Sequence, residues 1–169
     1  MKKGLIFAVA MLFAAFQLGA QKVGYINTEK ILAAIPEYKS AQTELEKLGN
    51  QYQQKIESEY SKIESLYQSY QQQKATLSAQ ARQQRENDII SREQTVKELQ
   101  KSYFGQDGIM QKKSQELMDP IKERVDAAVK KIAENGNFMI IFDLSLMQGV
   151  AYARPGDDLS SLVIKALGY

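Results

Sequence analysis

The sequence predicts an α+β fold in which a small base of short strands and short helices carries a long antiparallel α-helical coiled-coil hairpin. Three observations predict it. From Glu37 to Asp119 the chain has no proline and three glycines, and it is rich in Gln, Glu, Lys, Leu and Ala, so a helix can run with little to break it. Apolar residues recur at helical spacing in both halves of that stretch. Short strand-like segments flank it. At about 1.5 Å per residue each leg spans roughly 60 Å, too long for a small domain folded on itself.

The 169 residues match the length of one domain, preceded by a leader. Lys2 and Lys3 come before an apolar run from Leu5 to Phe16, which ends in Gly19 and Ala20. That order is the layout of a secretory signal peptide over residues 1–20, cleaved after Ala20. The other reading, an uncleaved anchor, needs a longer apolar run than this one. Residues 21–169 then form a single chain, with the base from 21–36 and about 121–169 and the hairpin at about 37–120. Removing Lys2 and Lys3 from 22 basic and 20 acidic residues leaves the mature chain formally neutral. Neutrality argues against nucleic acid, whose binders carry surplus Lys and Arg to neutralise phosphates. The chain has no cysteine, so the exported destination rests on the leader alone.

Along the mature chain, Lys22 to Ile26 alternates as a short strand with Val23 and Tyr25 on one face. Asn27 or Thr28 can cap a short helix from Glu29 to Ile35, and Pro36 can open the next at its first turn. On the first leg Leu45, Leu48, Tyr52, Ile56, Tyr60, Ile63, Tyr67, Tyr70 and Leu77 follow the helical period of about 3.6. The pattern breaks around Thr76 to Gln80, where Thr76 or Ser78 can cap the returning leg. There Ile89, Val96, Tyr103, Met110 and Leu117 repeat every seven residues, joined by Leu99, and Ile121, Val125, Ala128 and Ile132 continue the stripe. Sustained seven-residue spacing favours a coiled-coil seam. Gly105 and Gly108 interrupt the second leg. Either the helix bends there or the backbone needs close approach; they read as a tolerated weak spot in a continuous helix or as a hinge, and alanine at both is expected to raise helicity. Helix is expected on both sides of Pro120.

Asn135-Gly-Asn137 stops this leg with a left-handed cap. Phe138 to Phe142 then reads as a strand buried on both faces, and Val150 to Arg154 as another. Pro155-Gly156 turns the chain into a last helix, capped by Asp157 or Asp158 and carrying Leu159, Leu162, Val163 and Leu167. Three short strands and two small helices bury little surface, and oligomerisation would remedy that. If edge strands pair between copies, the sheet can close into a barrel. Val23, Tyr25, Phe138, Ile140, Phe142 and Val150 are the candidate residues for this base core or subunit packing.

The chain has no histidine and no cysteine, which removes the commonest general base, the usual nucleophile pairs and nearly all zinc chemistry. Glu44, Glu46, Glu57, Glu59 and Glu64 are scattered along a helix face rather than paired across a cleft. No strand precedes the Gly105 and Gly108 segment as a phosphate loop requires. No enzyme, metal or cofactor is therefore expected. Tyr52, Tyr60, Tyr67, Tyr70 and Tyr103 either fill the hairpin seam or offer adaptable contacts to nonpolar polypeptide. Lys74, Arg82, Arg85 and Arg92 near the tip outnumber Glu86 and Asp88; they are solvated surface or a patch for anionic segments and lipid headgroups.

Three stretches, taken in order, resemble the Skp/OmpH family of periplasmic chaperones. They are Val23 to Leu32 with Ile35-Pro-Glu37, Leu117 to Ile121 leading into Phe138 to Asp143, and Gly149 to Ser160. The resemblance implies a homotrimer with a β-barrel body and three helical tentacles. Around its central cavity it would hold unfolded outer-membrane β-barrel proteins without ATP. Basic members of such a family attract acidic clients and lipopolysaccharide; this chain departs from them in being neutral, so lipopolysaccharide or a membrane surface is the weaker partner expectation. The competing class is a structural or adaptor coiled coil of the cell envelope. Intact-mass measurement on periplasmic material should show a chain beginning at Gln21, whereas a full-length mass in the membrane fraction would favour the anchor.

Overall fold

Local signals in the sequence set the element boundaries. The computed structural model describes residues 22–169, so the expected signal peptide and its junction lie outside the described residues. Strand β1 spans Lys22–Ile26, helix α1 Thr28–Ala33, α2 Pro36–Gln73, α3 Ala79–Phe104, α4 Ile109–Gly136, strand β2 Phe138–Asp143, and α5 Ser160–Ala166. A single 3-10 turn covers Pro155–Asp157. The chain divides into two units: the residues up to Ala34 together with Val125–Tyr169, and the segment Ile35–Arg124.

In the first unit β1 and β2 pair in parallel, with Val23 opposite Ile140 and Tyr25 opposite Phe142. Gly24 and Ile26 face inward, while Val23 on the other face is exposed. Ile26, Ile31, Leu159 and Val163 form the buried apolar residues of the sheet and the small helices. Gly24 leaves room for Leu159: a Cβ there would lie 2.6 Å from Leu159 Cδ1, and that side chain would have to shift. The chain also pairs with the other edge of β1, because the Leu159 amide donates to the Tyr25 carbonyl at 2.8 Å. Ser160, fully buried, accepts from the Asn27 amide at 2.9 Å.

Of the two anticipated caps of α1, Asn27 is the one used, and Thr28 is the first helical residue. The Asn27 side chain accepts from Lys30 N at 2.9 Å. Asp143, at the end of β2, accepts from Thr28 N at 3.1 Å and from the Ser145 amide and hydroxyl at 3.0 and 2.7 Å. Partial burial pushes the Asp143 carboxyl up, but the hydrogen bonds from Thr28 and Ser145 outweigh it and hold the group below the usual carboxylate range.

In the second unit α2 opens with Pro36 in its first turn and α3 with Ser78 as N-cap, whose hydroxyl accepts from Ala81 N at 3.2 Å. The two helices run antiparallel, since Tyr52 meets Tyr103 near one end and Tyr70 meets Glu86 near the other. Ile56, Ile63 and Tyr70 on α2 and Ile89, Val96 and Tyr103 on α3 form one buried cluster, and each set repeats every seven residues. That repeat keeps one narrow line of each helix against its partner. Tyr60 and Tyr67, read from sequence on the same stripe, are 42% and 48% exposed.

Two expectations are corrected here, and of the two readings at Gly105 and Gly108 the continuous helix is excluded. Val150 to Arg154 is not a strand in the single chain, and the regular sheet has two strands. β2 is not buried on both faces: among the described residues Met139 on one side and Ile140 and Phe142 on the other are exposed. The returning leg is not one continuous helix. α3 ends at Phe104, Gly105 is extended, Asp107 has φ 60°, and α4 starts at Ile109. A Cβ on Gly105 would collide with the Lys101 carbonyl, and one on Gly108 would lie 2.8 Å from the Gly105 carbonyl oxygen. The helix then runs unbroken through Pro120, and Asn137, with φ 52°, adopts the left-handed cap.

Close backbone approach reverses the expected effect of alanine at the break. Gly105→Ala with Gly108→Ala should lower stability by about 1–3 kcal/mol, as overpacking does, seen as a lower urea midpoint; a higher midpoint with more helix would refute this. The lowered pKa of Asp143 carries a sign. Its contribution is present above the unfolded value near about 3.9 and is lost as pH falls through the folded value. Asp143→Ala should cost about 1–2 kcal/mol at neutral pH and flatten the acid limb of a stability profile.

Candidate functional surfaces

Two surfaces follow from these elements, one in each unit. In the first, the outer face of β1, the end of β2 and the irregular segment after it enclose an open cleft of about 660 Å³. Val23, Tyr25, Phe138, Phe142 and Val150 all line it, and of the six residues expected at the base only Ile140 lies outside. Met147 and Tyr152 join the cleft from a segment that sequence reasoning treated as loop and strand. Their apolar side chains in a segment with Gly149 were the available signal. Burial, with Asp158 next, raises the Tyr25 phenol above its ordinary value. Leu146 is 82% exposed and Tyr152 79%, well beyond what large apolar groups show when they are settled in a core.

In the hairpin the five candidate tyrosines separate. Tyr70 and Tyr103 are buried in the seam, and Tyr52 stacks on Tyr103 with ring centroids 4.0 Å apart. The Tyr70 hydroxyl donates to Glu86, a bond that, with burial, raises its pKa. Tyr60 and Tyr67 stand at the surface, as does Ile90 on α3. Sequence period alone did not separate the two groups, and Ile90 gave no signal because it neighbours the seam residue Ile89.

The basic residues of the tip do not converge on one pocket. Lys74 sits 5.6 Å over the Tyr70 ring, Arg92 pairs with Asp88 at 3.1 Å, and Arg82 and Arg85 are exposed. Gly105 and Gly108 mark a change in how the legs are joined. Before the break α2 and α3 share the apolar seam; after it α2 and α4 are linked by Lys113 to Glu44 at 3.2 Å and Arg124 to Glu37 at 3.3 Å. These exposed pairs contribute little individually. Among the described residues no cluster of acidic side chains suits a metal ion, and no helix is long and apolar enough to cross a membrane.

This architecture has relatives. The chain is 27% identical over 154 residues to the chaperone protein Skp of Yersinia enterocolitica, covering 91% of this chain and 90% of that one. It is 24% identical over 168 residues to the chaperone protein Skp of Vibrio cholerae serotype O1, covering 97% and 94%. Its fold matches a crystal structure from Caulobacter crescentus described as an OmpH-like outer membrane chaperone, with TM-score 0.67, 11% identity, and coverage of 88% of this chain and 85% of that one. The family model for outer membrane protein (OmpH-like) matches residues 22–167, nearly the whole of the described chain, and the protein belongs to the OmpH-like family.

Proposed function

We propose that the protein is an exported, ATP-independent holdase that works in the periplasm as a homotrimer. It would keep unfolded outer-membrane β-barrel proteins soluble in a cavity between its helical hairpins. The observation that carries this reading is the family match over residues 22–167 together with two relatives named as Skp chaperones and aligned over nearly their full length.

The base supports self-association. Val23, Ile140, Phe142 and Val150 are each more than two-fifths exposed, an apolar surface of the kind that marks an interface. Val150 to Arg154 has the alternation of a strand but no strand partner among the described residues, as expected of a segment that pairs with a neighbouring copy and closes a barrel. On the hairpin, Tyr60 and Tyr67 are the accessible candidates for client contact; Tyr52, Tyr70 and Tyr103 serve the seam. Holding then rests on many weak, adaptable contacts. The break at Gly105 and Gly108 is the proposed hinge by which a hairpin adjusts to clients of different size.

Light scattering at micromolar concentration should give a trimer. A stable folded monomer would defeat the assembly. Aggregation of a urea-diluted outer-membrane β-barrel should be suppressed by a molar excess of the protein without nucleotide, at low and at high salt. Protection at both follows from a neutral mature chain, because salt mainly screens exposed charges lying beyond about 8 Å. No protection at either would sink the chaperone reading and favour a structural coiled coil.

A further inference from the structure

The two flanks of the α2–α3 hairpin differ in charge. Tyr60 and Glu64 on α2 share one shallow groove with Glu93 and Lys97 on α3. Glu59 and Lys62 share the groove on the opposite side with Arg92 and Leu99. Ile63 lies at the floor of both. Helical spacing extends each row, since residues three, four and seven apart share a face. Glu57, Tyr67 and Ile90 join the first flank; Lys55, Arg85 and Asp88 join the second.

The first flank therefore carries Glu57, Glu64 and Glu93 against Lys97, with Tyr60, Tyr67 and Ile90 exposed among them. The second carries Lys55, Lys62, Arg85 and Arg92 against Glu59 and Asp88. One flank is acidic and aromatic, the other basic. The strongest charges lie level along the hairpin, because Glu64, Glu93, Lys62 and Arg92 all fall within about one helical turn of the Ile63 and Val96 layer.

Symmetry gives this arrangement a partner. A rotation axis of three-fold or higher order that runs along the hairpins sets the left flank of each copy beside the right flank of the next, at the same level, and a two-fold contact instead sets like beside like. Opposite charges on opposite flanks suit the ring, and like flanks repel in a two-fold pair. The basic flank is free to exchange partners: Lys62 to Glu59 at 2.7 Å and Arg92 to Asp88 at 3.1 Å are exposed local pairs, which hold weakly.

We propose that the occupant of each acidic flank is the basic flank of a neighbouring copy. In the client-free assembly the hairpins close on one another flank to flank, with Glu64 and Glu93 meeting Lys62 and Arg92 of the next copy. Tyr60, Tyr67 and Ile90 are covered until a client displaces the neighbour. This rests on the cyclic oligomer proposed above and adds to it a closed state held by charge.

The chain has no cysteine, so Gln80→Cys gives one spin-label site per copy at the tip. In client-free protein at low salt, the distances between copies should centre near about 20 Å, two helix diameters. Glu64→Lys with Glu93→Lys should move the distribution outward and broaden it. Adding Lys62→Glu and Arg92→Glu should restore it, since the flanks are then complementary with reversed sign. Salt at about 1 M, where charges are screened beyond about 3 Å, should open the unaltered protein. An intact oligomer whose tip distances ignore flank reversal and salt overturns flank pairing and leaves the chaperone reading standing. A monomer in light scattering overturns both.

Discussion

The hairpin depends on one line of side chains. Ile56, Ile63 and Tyr70 meet Ile89, Val96 and Tyr103, with Tyr52, Leu66, Leu77 and Leu99 packed against them. In proteins most helical stability comes from packing of an apolar face rather than from propensity, so the seam is what holds α2 and α3 in register. Because it is narrow, most of each helix remains solvent-facing and can carry charge or contact surface without competing with the core. A broader apolar face would have made a better-buried bundle and a poorer presenter of surface.

The base solves the opposite problem. Its core is small, and it relies on polar contacts made with little freedom: the buried Ser160 hydroxyl on the Asn27 amide, Asp143 across the start of α1, and Leu159 on the free edge of β1. Each satisfies a backbone group that would otherwise be buried or left at an element end without a partner. What remains open is the outer side of the sheet, where the apolar residues of β2 and the segment after it look outward. The unit is well satisfied inside and unfinished outside.

Much of this was legible in the residues. The seven-residue run through Ile89, Val96 and Tyr103, the cap at Ser78, Pro36 opening α2 and the left-handed Asn137 were all readable, because each is a local rule acting on local spacing. Tyr60 and Tyr67 were not separable from Ile56 and Ile63, since which edge of a stripe turns inward is decided by the opposite leg. Val150 to Arg154 was read as a strand and is irregular in the structure; alternation specifies a pleat and does not supply the partner that a strand needs. At Gly105 and Gly108 propensity suggested a cost to be removed, whereas the backbone packs so closely there that the missing Cβ is a requirement. Among the base candidates the cleft gathers five of the six, four of them from the two strands, and it adds Met147 and Tyr152 from the irregular segment that also carries Val150.

The parallel pairing of β1 with β2 has a consequence for the order in which the protein forms. Side chains that lock the sheet join residues as far as 133 positions apart, and closing so long a loop from a disordered chain is entropically expensive and slow. The hairpin contacts are local by comparison and return the chain on itself, bringing Glu37 to Arg124. As the chain is made from its N-terminus the first strand appears with no partner and must wait as a naked edge until the final segment follows. The hairpin is therefore a folding device: it shortens the search that joins the two strands.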